Sequence, residues 1–295
     1  MNDSDVCRLR IDIAYDGSRF HGWAFQPGLR TVEGEVQDAI SKVVHKRVHI
    51  TVGGRTDAGV HARNNTFHVD VPSAYIEECE KKGKDPYGTL KHSVNAILMY
   101  TSEAGPYGTC DVVIRSVKPT HPQFDARFSA LNREYTYRVA DNSESFMPTR
   151  RTDILWFYHS LHIDEMNRAA SFLEGEHDFL SFCRPREGAT TIRTLEKLFV
   201  ERDDEGNVCI HAQADAFCHS MVRTLVGTLL YVGRGMRPAL WAKMRLEQRE
   251  RNGEVIVAPA HPLTLERINY PETQAEQIQQ ITKTKRKRVL CEDER

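Results

Sequence analysis

The chain has 295 residues, 40% of them hydrophobic and 27% charged, with a formal net charge of -1. This composition is typical of a globular protein with a buried core and argues against a disordered chain. No apolar run approaches the roughly 20 residues that a membrane-spanning helix needs, and the charged residues 1–10 do not resemble a secretory signal. Seven cysteines without framework spacing predict reduced thiols in a cytoplasmic protein.

The first half of the chain predicts the order strand, helix, strand, strand, helix, strand. The expected elements are a strand at residues 9–13, a helix after Thr31, strands at 48–52 and 67–71, a helix at about 88–98 and a strand at 112–114. Residues 73–88 show no periodicity, so we expect an exposed loop there.

The second half repeats this order. The expected elements are a strand at 135–139, a helix at 163–173, strands at 195–200 and 208–212, a helix at 217–232, an extra helix at 239–248 and a strand at 263–268. The repeat predicts an α+β fold of two tandem ferredoxin-like or RRM-like βαββαβ units. We expect a central antiparallel sheet with helices on one face and an active-site cleft between the halves.

The predicted boundaries divide the chain into three parts. Residues 1–120 form the first unit, with the loop 53–63 inside it, and residues 121–275 form the second. Residues 276–295 combine a glutamine-rich stretch with a basic run and an acidic end. We interpret them as a charged tail that is disordered or forms a frayed helix.

A glycine-rich loop at residues 53–63 carries one carboxylate, Asp57, and two cations, Arg55 and Arg63. A hairpin that only reverses the chain needs two to five residues and has no use for these charges at its tip. Loop chemistry alone leaves two interpretations open. Asp57 either bonds nearby backbone amides in a structural loop or takes part in catalysis.

Three other residues also have both a structural and a functional interpretation. Arg19 belongs to a segment with Phe20 and Trp23, which is either a core tryptophan with its flanking loop or a patch for stacking and phosphate contact. Tyr135 is a strand aromatic of a kind usually found in a core. Arg223 lies off the apolar stripe of its predicted helix, where its side chain could extend to solvent.

The distribution of cations and of metal-binding residue types limits the classes of function that the sequence supports. Arginines recur near these segments, at Arg127, Arg133, Arg138, Arg184, Arg186 and Arg193. Such clustering fits RNA binding but also fits a solvated face. The nearby Cys209, His211, Cys218 and His219 match no zinc spacing, so no metal is expected. The glycine-rich loop also lacks the Gly-Lys-Ser/Thr ending of a phosphate-binding loop.

The sequence Gly-Gly-Arg-Thr-Asp-Ala-Gly-Val-His-Ala at residues 53–62 resembles the signature of the TruA family of tRNA pseudouridine synthases. Further matching blocks are at residues 14–23, 121–137, 217–227 and 258–265. The resemblance implies that Asp57 is the catalytic residue and that Tyr135 stacks on the target base. It also implies that Arg223 pairs with Asp57 and that Leu263 belongs to an apolar wall under the base. One departure is Pro262, which stands where the family usually has glycine.

The resemblance further implies an isomerase that acts on uridines 38, 39 and 40 in the anticodon arm of tRNA. The N1–C1′ bond breaks and the uracil is rejoined through C5, without metal or cofactor. Asp57 either attacks C1′ or abstracts the C2′ proton. Family members are homodimers with one tRNA contacting both subunits. We place the positive patch for RNA around Arg19, Arg55, Arg63 and Arg127.

Two other classes of protein compete with this interpretation. The first is a noncatalytic RNA-binding protein built on duplicated RRM-like units, although neither half has an RNP1-like aromatic strand. The second is a protein–protein scaffold, which does not account for an aspartate and several arginines in and around a glycine-rich loop.

Overall fold

The computed structural model describes residues 5–102, 105–106, 108–184, 190–251 and 256–293, with side chains up to residue 285. The chain forms two compact units, Met1–Leu131 with Arg267–Thr284 and Asn132–Glu266 with Lys285–Arg295. Both combine helices with mostly antiparallel strands, which confirms the α+β class. The unit boundaries differ from those predicted, because the chain returns to the first unit at Arg267.

The first unit is organised around its first strand. Its elements are β1 (Val6–Tyr15), α1 (Val32–Val43), β2 (Ile50–Val52), β3 (His61–Pro72), α2 (Ser73–Lys81), α3 (Pro86–Thr101) and β4 (Val112–Pro119). Strand β1 lies between β3 and β4 and is antiparallel to both, and β2 is antiparallel to β3. Helix α3 packs against β4 and α1.

Helix α1 forms where the sequence predicts it. The Thr31 hydroxyl accepts a hydrogen bond from the Gly34 amide at 3.3 Å and thereby caps the helix. Val36 and Ile40, four residues apart, are fully buried, as expected for the core-facing stripe of an amphipathic helix.

The prediction of an exposed loop at residues 73–88 is wrong, because α2 and the start of α3 occupy this segment. Only Cys79 of α2 is buried, so the helix leaves almost no apolar periodicity in the sequence. Its exposed face carries pairs at i,i+4 spacing, such as Glu78 with Lys82 at 2.5 Å. Asp85 caps α3 by accepting from the amides of Tyr87 and Gly88.

The second unit contains the remaining strands and three helices. Its elements are β5 (Asn132–Ala140), β6 (Leu155–Trp156), α4 (Ile163–Ser171), β7 (Gly175–Asp178), β8 (Ile192–Arg202), β9 (Val208–Ala214), α5 (Met221–Gly233), α6 (Leu240–Gln248) and most of β10 (Leu263–Asn269). The antiparallel strands follow the order β5-β9-β8-β7, and β6 is parallel to β5. Helix α4 packs against β8 and α5.

Helix α5 begins later than the predicted Phe217. Ser220 has a left-handed φ of 62°, and the helix starts at Met221. Phe217 is therefore not on the helical stripe. Further along, a methyl group on Gly227 would overlap the backbone carbonyl of Ile256, so glycine allows the chain after residue 255 to lie directly against α5.

A disulfide joins Cys183, which is fully buried, to Cys218. The expectation that all cysteines are reduced thiols is therefore wrong for this pair. Their Cα atoms are 5.6 Å apart although the residues are 35 positions apart in sequence. The bond fixes the segment before α5 to the turn that ends at Cys183.

Helix α7 (Gln274–Asp293) occupies the predicted tail, so of the two alternatives left open by the sequence the structure agrees with a helix and not with disorder. Its first half belongs to the first unit. There Gln280 donates to the carbonyl of Ala130 at 3.2 Å and Thr284 donates to that of Phe128 at 3.3 Å. The helix thus satisfies carbonyl groups of the segment that leads to β5. None of the helices in the described ranges has the length and apolar character needed to cross a membrane.

Candidate active site

Asp57 lies in the loop between β2 and β3 and is partly buried. The Val60 amide donates to the Asp57 carbonyl at 3.1 Å, so the residue sits at the start of a tight turn. Arg55 precedes it in the same loop and is exposed, as is Arg63 near the start of β3. The structure thus has Asp57 partly buried and two exposed arginines near it in sequence, all in the first unit.

The backbone of this loop is fixed by the segment after β1. The Trp23 amide donates to the Thr56 carbonyl at 3.0 Å, and the Gly59 amide donates to the Phe20 carbonyl at 3.4 Å. A methyl group on Gly17 would overlap the carbonyl of Val60. Because Trp23 is fully buried, it supports the loop from the core and does not offer a stacking surface.

A buried hydroxyl network supports the loop from the other side. Asn65 Nδ2 donates to the Tyr15 hydroxyl at 3.2 Å and to the Gly54 carbonyl at 2.7 Å. The Tyr15 hydroxyl lies 2.7 Å from Thr56 Oγ1. Either hydroxyl of the Tyr15–Thr56 pair can donate to the other, while Tyr15 also accepts from Asn65. Burial raises the pKa of Tyr15 to about 12, although the hydrogen bonds to Thr56 and Asn65 oppose the shift, so the network keeps its proton at neutral pH.

His61 closes the loop at the first residue of β3. Its Nδ1 accepts a hydrogen bond from the Gly17 amide at 3.0 Å, and only 7% of the residue is exposed. The sequence does not predict His61, Tyr15 or Asn65 as site residues. The sequence signal for His61 is its place inside the family signature. The pairing of Tyr15 with Asn65 joins residues 50 positions apart, so no local pattern reveals it.

Tyr135 lies on β5 of the second unit and is 8% exposed. The ring of Phe217 meets it edge-on, with centroids 5.2 Å apart and an interplanar angle of 86°. This geometry is the favoured one for aromatic pairs because the positive ring edge faces the negative ring face. Phe217 thus fixes the orientation of Tyr135.

Arg223 lies on the first turn of α5 and is partly buried. Its Nε donates to the Ala258 carbonyl at 2.7 Å, and the Ala258 amide donates to the Arg223 carbonyl at 3.0 Å. The side chain is therefore anchored and does not simply extend to solvent. Its positive charge opposes the rise that burial causes in the pKa of Tyr137.

Leu263 is the first residue of β10 and is 4% exposed. Pro262 precedes the strand, so its missing amide proton removes no hydrogen bond from within β10. Its carbonyl accepts from the Arg138 amide at 3.3 Å. Pro262, which departs from the family pattern, therefore fits the start of β10 in the second unit.

The remaining predicted arginines divide into buried and exposed ones: Arg133 is buried and Arg138 pairs with Glu266 at 2.7 Å, whereas the following ones are exposed. Arg19 and Arg127 are exposed residues of the first unit, and the Arg127 guanidinium lies 5.3 Å from the centroid of the Phe128 ring. Arg184 is exposed in the second unit. Arg186 lies outside the described residues. Within the described ranges, no group of three or more His, Cys, Asp or Glu side chains could hold a metal ion.

Comparison with known proteins identifies the chain. A family model described as tRNA pseudouridine synthase matches residues 169–271. The chain is 48% identical to tRNA pseudouridine synthase A of Frankia casuarinae over 90% of both sequences. It is 45% identical to the Streptomyces griseus protein of that name over 90% of this chain and 88% of the relative. A Mycobacterium leprae relative of the same name is 38% identical over 92% of both.

These similarities, together with the α+β fold and the loop of Asp57, define a pseudouridine synthase, an enzyme of the isomerase class. The chain belongs to the TruA family.

Proposed function

We propose that this chain converts uridine to pseudouridine at positions 38, 39 and 40 in the anticodon stem-loop of tRNA. The observation that carries the proposal is the firmly held loop of Asp57, in a chain that is 48% identical to a protein named tRNA pseudouridine synthase A. A loop fixed by both backbone and side-chain hydrogen bonds is preorganised, as a reacting carboxylate requires.

Asp57 is the reacting group in this proposal. The N1–C1′ bond breaks, the uracil turns, and C5 bonds to C1′ while losing its proton and N1 gains one. Asp57 either attacks C1′ and forms an ester or removes the C2′ proton and forms a glycal. Both routes need an ionised carboxylate. An ion pair with Arg223 would keep it ionised and fix its rotamer.

The target base is held, in this proposal, by stacking on Tyr135 and by the apolar side chain of Leu263. The edge-on contact with Phe217 supports this role because it leaves Tyr135 a defined ring plane. Enzymes that act on a base extrude it from the stack and hold it against aromatic and apolar side chains. Arg223, anchored by the Ala258 carbonyl, is the proposed partner of Asp57.

The RNA backbone is held by cations in this proposal. Arg19, Arg55, Arg63 and Arg127 are all exposed in the first unit and would neutralise phosphates. We further infer a homodimer that acts in the cytoplasm on one tRNA through both subunits. The two units are inferred to be ferredoxin-like duplicates, because the order strand, helix, strand, strand, helix, strand can be traced through each.

Tritium release tests this proposal directly. Three tRNA transcripts would each carry one C5-tritiated uridine, at position 38, 39 or 40, and a fourth would carry it outside the anticodon arm. We expect release from the first three and none from the fourth. Tight binding of all four without release would instead identify a noncatalytic RNA-binding protein.

A further inference from the structure

Two arginines of the second unit lie close together without a carboxylate partner. Arg251 follows α6 and is partly buried, and its Nη1 is buried with no hydrogen-bond partner among the described residues. Arg184 is exposed. In the part of the chain that the structure describes, neither arginine forms an ion pair with a carboxylate. A buried guanidinium nitrogen without an acceptor is unfavourable, so this arrangement calls for a bound anion.

The backbone positions of both arginines are fixed. The Arg184 amide donates to the His219 carbonyl at 3.0 Å, beside the disulfide of Cys183 with Cys218. The Glu250 amide donates to Oγ of Ser181, a fully buried residue, at 3.0 Å. The turn 180–184 therefore holds both arginine-bearing segments, and neither can move far from the other without breaking these bonds.

The electrostatics favour an anion at this position. Burial lowers the pKa of Arg251, and the nearby positive charge of Arg184 lowers it further. Two like charges held together repel each other until an anion neutralises them. Guanidinium groups bind phosphate through paired N–H donors and suit it better than a point charge does.

A backbone hydrogen bond connects Arg184 to the segment that carries Phe217, the ring neighbour of Tyr135. Arg184 bonds to His219, two residues after Phe217, whose ring lies against Tyr135. We propose that Arg184 and Arg251 form a phosphate-binding site for the RNA backbone close to the nucleotide that stacks on Tyr135. The RNA ligand rests on the proposed function, whereas the anion site itself does not.

Two variants and a matched control test the site in the full chain. Arg184→Gln and Arg251→Gln each remove one guanidinium. Arg168→Gln removes an exposed charge of the same unit that lies 3.0 Å from Glu165. We expect each of the first two variants to weaken tRNA binding about tenfold and to make the log–log salt slope shallower by about 0.7–0.9, with unchanged turnover at saturating tRNA. Arg168→Gln should match the wild type.

A second measurement separates the anion site from the proposed function. Melting curves of the wild type and of the three variants would be recorded in inorganic pyrophosphate and in sodium chloride of equal ionic strength. Pyrophosphate should raise the melting temperature of the wild type and of Arg168→Gln, but not of Arg184→Gln or Arg251→Gln. This result would support the site even if the protein failed to isomerise uridine. Equal shifts in all four proteins, or wild-type tRNA affinity and salt slope in both test variants, would overturn it. Should Arg251→Gln fail to fold, the exposed Arg184→Gln decides alone.

Discussion

The loop of Asp57 and the segment before Arg223 carry the proposed chemistry, but they are held differently. The first is fixed through its backbone, by amide–carbonyl bonds from the segment 17–23 and by the amide of Asn65. The second is fixed mainly through side chains, by the disulfide at Cys218 and by the ring contact of Phe217. The first region should therefore be most sensitive to backbone crowding, and the second to the loss of individual side chains.

The largest effect is expected when the backbone contact of the first region is crowded. In Gly17→Ala the new methyl group overlaps the carbonyl of Val60, so the loop must move. We expect a loss of roughly 3 kcal/mol in unfolding free energy and little remaining activity. The neighbouring exposed change Ser18→Ala should stay within about 0.5 kcal/mol of the wild type. Urea unfolding of both would show this, and equal stabilities would contradict the backbone account.

Loss of a side chain should break the second region. Arg223→Ala removes the donor to the Ala258 carbonyl, and we expect a cost of about 1–2 kcal/mol in stability. Turnover should fall by at least about 100-fold if the arginine also stabilises the charge of Asp57. Arg223→Lys should restore only part of both, because a point charge cannot form a paired contact. Wild-type turnover and stability in Arg223→Ala would mark Arg223 as a surface cation.

Two buried tyrosines allow a bonded hydroxyl to be compared with one that is unbonded within the described ranges. Tyr15→Phe removes a hydroxyl bonded to Thr56 and Asn65, and we expect a cost of about 1–2 kcal/mol. Tyr137→Phe removes a buried hydroxyl that has no hydrogen-bond partner among the described residues. It should be neutral or slightly stabilising. Chemical denaturation of the two variants would distinguish them, and equal costs would show that the Tyr15 network does not support the loop.

The smallest effect concerns pH. His68 Nδ1 accepts from the Ala126 amide at 3.0 Å, which requires an unprotonated nitrogen. Burial and the charge of Arg8 lower the pKa of His68, against opposition from Asp125 and Asp70. Its folded pKa therefore lies below the unfolded value of about 6.5, so stability is lost as the pH falls below that value. The loss should be at most about 1.4 kcal/mol at pH 5.5.

Urea unfolding at pH 7.5 and pH 5.5 would measure this loss. His68→Gln should show a smaller difference between the two pH values than the wild type. His92→Gln, which changes an exposed histidine of α3, should keep the wild-type difference. Identical pH dependence in all three proteins would exclude His68 as the titrating group.

The sequence predicts those features whose signals are local. Helix α1 is predictable because its cap, Thr31, and its buried stripe lie within one segment. Helix α2 is not, because a helix with a single buried residue has no apolar period. The spacing of Phe217 suggests a helical stripe, but the left-handed Ser220 ends the turn before the helix begins.

The supporting contacts of the candidate site could not be predicted because they join distant residues. Asn65 is a fully buried polar residue inside a strand, and its role is visible only once Tyr15 lies beside it. The cysteine pair is likewise separated by 35 residues. The proposed reacting residue itself was accessible from the sequence, because Asp57 lies in a continuous family signature.

The most direct test of the account is pseudouridine formation by Asp57→Asn, which keeps the shape of the side chain and removes its charge. We expect no measurable isomerisation of tRNA, with tRNA affinity changed by less than about tenfold, or about 1.4 kcal/mol. An unchanged melting temperature would show that the loop is intact. Isomerisation near the wild-type rate would contradict the central claim that the Asp57 carboxylate takes part in the reaction.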